Sequence, residues 1–184
     1  MKKIIVTLLA LSLLAIPVCG AEKAGINMPD SISVDGTRLT LNGVGLRTKL
    51  MFKVYVAGLY VEKPTSNGNM IIASDQVKRV NMVMMRDLGK SKITEAVEAG
   101  FEKNNKSRMG ALKARLDKFN AGIADLKEGD NLTITYMPDK GTTLTSKSGT
   151  TLTIEGKDFG DALFSVWLGQ HPVDEDLKDE MLGN

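Results

Sequence analysis

The 184-residue chain carries one cysteine, one histidine and one tryptophan, and aromatic residues make up only 5% of it. Each scarcity excludes something. A lone cysteine allows no internal disulfide, and with the single histidine, His171, it leaves too few thiolate or imidazole ligands for a zinc, copper or haem site. One histidine with no Ser-His-Asp arrangement in view also argues against triad hydrolysis. Gly43-Val-Gly45 lacks the third glycine and the following helix of a dinucleotide loop, so a tight bend is its better reading and no cofactor is expected. Charge of one sign is missing too: 24 Lys and Arg face 22 Asp and Glu.

The one long apolar run is at the start. Lys2 and Lys3 precede an uncharged, predominantly apolar run over residues 4–18, and small residues follow at Cys19, Gly20 and Ala21. A basic head, an apolar stretch short for a membrane span and a small-residue exit predict a secretory signal peptide over residues 1–21, cut after Ala21. Val18 is a poor residue to precede a lipidated cysteine, so a lipoprotein anchor is not expected. The rest, residues 22–184, is long enough for one domain with its own core. Cleavage removes the only cysteine and two lysines, leaving as many basic as acidic residues. That balance argues against a nucleic-acid partner, which needs a basic excess or patch. No second stretch of about 20 apolar residues exists, so no stable membrane insertion is expected after cleavage. The leader points to a secreted, periplasmic protein.

Residues 22–30 read as a polar leader into the fold. Residues 31–34 and 37–41 alternate apolar and polar side chains around Asp35-Gly36, the signature of a tight β-hairpin. Then comes NGVGLRTKLMFKVYVAGLYVE, residues 42–62, the most β-prone stretch. It predicts a long central strand, bent at Gly58, with Arg47 at its entrance. Pro64 and Asn67-Gly68 mark a loop, residues 70–73 a short strand, and residues 77–86 a longer one with Val80, Met82 and Met84 on one face.

From Ser91, a candidate N-cap, the period changes to that of a helix: Ile93, Ala96, Val97, Gly100 and Phe101 form one stripe. A second helix carries Leu112, Leu116, Phe119 and Ile123. Residues 131–137, 142–146 and 150–155 return to strands, joined by turns at residues 138–141 and 147–149, as an antiparallel meander. Residues 159–168 make a helix broken at Gly169, and Pro172 starts a short acidic one. The order predicts an α+β domain whose largely antiparallel sheet is covered by helices on one face.

Few residues carry chemistry. His171 reads as a helix-junction residue. Residues 174–180 lack the ligand spacing of a calcium loop and read as helix-capping acids. Met51, Met82, Met84 and Met85 suit an adaptable pocket or ordinary core equally well. The sequons at Asn105 and Asn131 carry no weight beside a bacterial-looking leader. Arg47 is either a surface arginine paired with a carboxylate or a fixed cation at an apolar cleft.

GVGLR (residues 43–47) with KVYVAGLY (53–60), and FSVWLGQHP (164–172), resemble two blocks of the chalcone isomerase family and its bacterial chalcone isomerase-like relatives. That resemblance implies an open-faced β-sandwich and a role for Arg47. In the enzymes the matching arginine binds the phenolate oxygen of the substrate during ring closure, and in the fatty-acid-binding members it pairs with the ligand carboxylate. The remaining polar positions of the enzymes match Tyr55, Ile93, Gly100 and Val166 here. Losing those groups removes acid–base and electrostatic help and makes the cleft more apolar, so the balance favours a non-catalytic binding module. The expected ligand is a small amphipathic anion, a fatty acid or related carboxylate or phenolate, headed by Arg47. Tyr55, Tyr60, Met82, Met84, Val97, Phe101, Phe164 and Trp167 are the expected wall. An intramolecular lyase of the chalcone–flavanone isomerase type, with Arg47 catalytic, and an envelope interaction protein without a cleft are the alternatives.

Overall fold

The computed structural model of the protein describes residues 20–146 and 151–184. The predicted signal peptide lies almost wholly outside them, as does the turn expected at residues 147–149. Gly20 and Ala21, which the expected cut would remove, pair with Pro29 and Met28.

Residues 22–30 are not a leader. They belong to a two-stranded ribbon, β1 (Gly20–Lys23) and β2 (Ile26–Pro29), turned at Ala24 and Gly25 with φ of 51° and 84°. Met28 is buried from this ribbon, its sulfur 3.2 Å from where a side chain on Gly58 would begin.

The main sheet has seven antiparallel strands in sequence order: β3 (Ser31–Val34), β4 (Thr37–Lys49), β5 (Phe52–Val61), β6 (Lys78–Met84), β7 (Asn131–Met137), β8 (Gly141–Ser146) and β9 (Thr151–Ile154). The β3–β4 hairpin turns at Asp35-Gly36 as expected, both with positive φ. Residues 42–62 are two strands rather than one. Lys49 pairs with Phe52 around Leu50 and Met51, a loop with no glycine, asparagine or proline to announce it. Gly58 lies straight inside β5, opposite Val44 and Asn81.

Residues 70–73, expected as a strand, lie in a helix, α1 (Gly68–Ala73). The Asn67 side chain caps it by accepting from the Met70 N–H at 3.2 Å. Lys78, fully buried, donates from Nζ to the carbonyls of Ile71 (3.0 Å), Ile72 (2.6 Å) and Ser74 (3.0 Å) at the other end. That local capping outweighs the β propensity of Ile71-Ile72.

The two middle helices are α2 (Lys90–Asn105) and α3 (Met109–Ala121), joined by a 3-10 turn. Gly89 rather than Ser91 holds the cap position of α2, and Asp125 accepts from the Lys90 N–H at 2.7 Å. α4 (Lys157–Leu168) ends at Gly169. α5 (Glu175–Met181) starts after Asp174, whose side chain accepts from the Leu177 N–H, so the acidic tail does cap a helix. α2, α3 and α4 cover one face of the sheet and enclose the main core, from Ala57 and Leu59 to Phe159 and Leu163. Val34, Leu39, Tyr60 and Val77 form a smaller cluster on the other face.

Candidate functional site

Arg47 is positioned by the spacing of three side-chain positions on β4. Gly43, Gly45 and Arg47 share one face. The glycines are extended strand, not the bend expected of them. A side chain at Gly43 would begin 2.3 Å from the Glu180 carbonyl oxygen, and one at Gly45 2.8 Å from that of Leu177. Their bareness lets α5 lie directly on β4, where β3 has ended and the strand edge needs cover. Glu180 accepts from the Leu46 N–H at 2.8 Å, and Asn42 donates to the Met181 carbonyl at 2.9 Å. Arg47 is the next residue on that face, just beyond α5.

The register slips between Arg47 and Thr48, so β5 carries an extra residue at Val54. Such bulges re-aim neighbouring side chains. Here Arg47 pairs with Tyr55, and its guanidinium carbon stands 5.6 Å from the centre of the tyrosine ring. Trp167 on α4 donates from Nε1 to the Tyr55 hydroxyl at 3.0 Å. Burial raises the Tyr55 pKa, against the opposing pull of the Arg47 charge and the indole hydrogen bond, so the phenol keeps its proton.

These three residues stand at one end of a cavity of about 650 Å³ between the sheet and α2. Registers carry the wall across the sheet: Tyr55 opposes Met84, and Met82 opposes Leu132. From β4 to β7 is three strand spacings, roughly 14 Å. The far end is closed by Phe119, Ile123, Leu126 and Ile134. Ala96 and Ala99 on α2 are too short to fill the space, whereas Gly100 draws the helix against Val166 of α4.

Of the wall expected from sequence, the structure brings together Arg47, Tyr55, Met82, Met84, Val97 and Trp167. It does not bring Tyr60, Phe101 or Phe164. Tyr60 faces the other side of the sheet and donates to the Pro29 carbonyl at 3.0 Å, as one-residue alternation from Leu59 requires. Phe101 turns away to pack on Phe159, 5.8 Å between ring centres. Phe164 lies 5.4 Å from the buried ammonium of Lys78. The contribution of Leu132, Ile134 and Ile123 was missed, although Leu132, Ile134 and Tyr136 alternate as clearly as Val80, Met82 and Met84. Ile93, Gly100 and Val166, the positions matched to the enzymes' polar groups, all line the cavity with Tyr55. His171 is exposed at the helix junction, its backbone N–H and carbonyl both held by Asn104.

The rim is basic. Lys49, Arg86, Lys92 and Lys103 line it beside Asp87 and Glu95. Asp87 is paired with Lys127 at 2.8 Å, and Glu95 with Lys92 at 3.5 Å. No carboxylate among the described residues lies within salt-bridge distance of Arg47. A surface pair with a carboxylate, the other reading of this arginine, is not formed among the described residues.

The polar end therefore offers donors. Arg47 has only N–H groups, and the Tyr55 oxygen already accepts from Trp167, leaving its O–H to donate. A group with acceptors and no donors, such as a carboxylate or phenolate, complements it.

Comparison with known proteins agrees with the fold. The crystal structure of an Arabidopsis thaliana fatty-acid binding protein superposes with a TM-score of 0.65 at 16% identity, covering 89% of this chain and 95% of that one. No curated protein sequence matches the chain. The profile of chalcone isomerase-like proteins matches residues 20–183. The protein belongs to the chalcone isomerase-like family.

Proposed function

We propose that the protein binds a small amphipathic anion, a fatty acid or a related carboxylate or phenolate, with its charged head on Arg47 and Tyr55 and its apolar part along Met84, Met82 and Leu132. The observation that carries this reading is the pair of donors, Arg47 and Tyr55, set beside a wall of apolar side chains from Met84 to Leu132. Each methylene moved from water into that wall contributes about 0.8 kcal/mol, and the guanidinium discriminates for a negative head. A fold neighbour described as a fatty-acid binding protein supports the same ligand class. The leader residues support export to the periplasm as the place where the ligand is met.

Binding is favoured over ring closure by the wall itself. Ile93, Gly100 and Val166 put no polar atom beside a reacting oxygen. The test is native mass spectrometry of the protein purified from its own envelope, followed by extraction of what it holds. A stoichiometric acyl or aromatic anion, absent from Arg47→Ala, is expected. An empty protein that also takes up no added fatty acid contradicts the proposal.

A further inference from the structure

The tip of the β4–β5 hairpin presents apolar side chains to solvent. Leu50 is 88% exposed, Met51 91% and Phe52 57%, and among the described residues the one other large hydrophobic so exposed is Met70. Leu50 sits at φ 59°, a left-handed conformation that glycine or asparagine adopts readily and leucine only with strain. Lys49 and Lys53 flank the three residues, and the Arg86 guanidinium lies 4.8 Å from the centre of the Phe52 ring. The nearby carboxylates Asp87 and Glu95 are engaged by Lys127 and Lys92, so the tip and the rim beside it carry net positive charge.

We propose that residues 49–53 dock the protein on an anionic lipid surface. Leu50, Met51 and Phe52 enter the boundary between headgroups and acyl chains, while Lys49, Lys53 and Arg86 meet the lipid phosphates. A second copy of the chain is the poorer occupant, because it would bring an identical set of cations against the first. Leu50 and Phe52 also line the cavity, so docking sets its mouth against the bilayer. Resting on the proposed function, this lets an amphipathic anion pass between membrane and cavity without crossing water.

The protein is purified from its own envelope, in the form in which it exists there. It is sedimented with vesicles of phosphatidylcholine containing about one third phosphatidylglycerol, and with vesicles of phosphatidylcholine alone. Binding to the anionic vesicles only, weakened by salt, is expected. Met51→Asp and Lys53→Glu should each weaken it about tenfold, with fatty-acid affinity in solution unchanged, since neither side chain lines the cavity. No binding to anionic vesicles, or binding by either variant as tight as that of wild type, overturns the proposal. So does a dimer in ultracentrifugation that Met51→Asp dissolves, because the tip would then be a self-association surface. A protein that docks through the tip but binds no fatty acid would refute the cavity reading and leave docking standing.

Discussion

Arg47 and Tyr55 face each other across β4 and β5, guanidinium carbon 5.6 Å from the ring centre, and Trp167 fastens the tyrosine through a 3.0 Å hydrogen bond to its hydroxyl. The bulge at Val54 aims the pair into the cavity, and α4 fixes the phenol so that its proton is left for a ligand. A cation and an O–H donor thus sit together on rigid elements rather than on loops.

Tyr55→Phe removes the acceptor of a buried indole N–H as well as the donor to the ligand. An unsatisfied buried donor costs about 1–3 kcal/mol, so the variant should be less stable by that amount in urea denaturation. Trp167 is the chain's one tryptophan, and its emission therefore reports both the lost hydrogen bond and ligand entry. An unchanged emission spectrum in the variant would show that the Tyr55–Trp167 contact is not formed in solution.

The seat of α5 depends on bare backbone at Gly43. Gly43→Ala would place a methyl group 2.3 Å from the Glu180 carbonyl oxygen and 2.7 Å from that of Met181. Backbone on both sides cannot yield as a flexible side chain would, and overpacking of this kind costs about 1–3 kcal/mol. Gly110→Ala in α3 meets nothing within 4 Å and should stabilise the protein by about 0.5–1 kcal/mol. Denaturation midpoints for the two variants should move in opposite directions.

Lys78 predicts an alkaline dependence of stability. Burial lowers its pKa from the usual 10.5 to about 8, against the attraction of Asp161 at 3.6 Å. Between those two values the unfolded chain binds the extra proton and the folded one does not, so this residue's contribution to stability rises as pH climbs from about 8 to 10.5. The burial penalty returns as pH falls from 10.5 and is fully present below about 8. Tyr60 works the other way above pH 10, because burial raises its pKa to about 12 and the unfolded chain then ionises first. Comparing wild type with Lys78→Met at each pH isolates the lysine: the difference in unfolding free energy should shift in favour of wild type by a few kcal/mol across the window. A flat difference would mean that the carbonyls of Ile71, Ile72 and Ser74 hold the ammonium charged throughout.

Much of the fold was legible because its signals are local. Asp35-Gly36 demands positive φ at both positions and gave the first hairpin away, and the alternation of Val80, Met82 and Met84 grouped on one face the two methionines that line the cavity, without saying which face the cavity uses. The split of residues 42–62 was not legible, because its turn uses Leu50 in a conformation that leucine disfavours. Gly43 and Gly45 were misread for a related reason: a glycine required by a helix packed on top leaves the same trace as one required by a bend. That helix lies some 130 residues away in the chain, a separation no local pattern spans. Tyr60, Phe101 and Phe164 were assigned to the wall because size and periodicity report burial, not the neighbours that receive the side chain: Tyr60 packs in the smaller cluster on the other face, and the two phenylalanines fill the main core away from the cavity. That Arg47, Tyr55 and Trp167 line one cavity was legible; the hydrogen bond between the last two was not.

The most direct measurement of the central claim is calorimetric titration of a fatty acid, and of the fatty alcohol of equal chain length, into wild type and Arg47→Ala. Both ligands fill the same apolar wall, so the head group alone differs. A charge-assisted hydrogen bond is worth about 1.5–3 kcal/mol, so wild type should prefer the acid by roughly ten- to a hundredfold, and Arg47→Ala should lose most of that preference. Equal affinity of wild type for acid and alcohol, or undiminished acid binding by Arg47→Ala, would contradict the account.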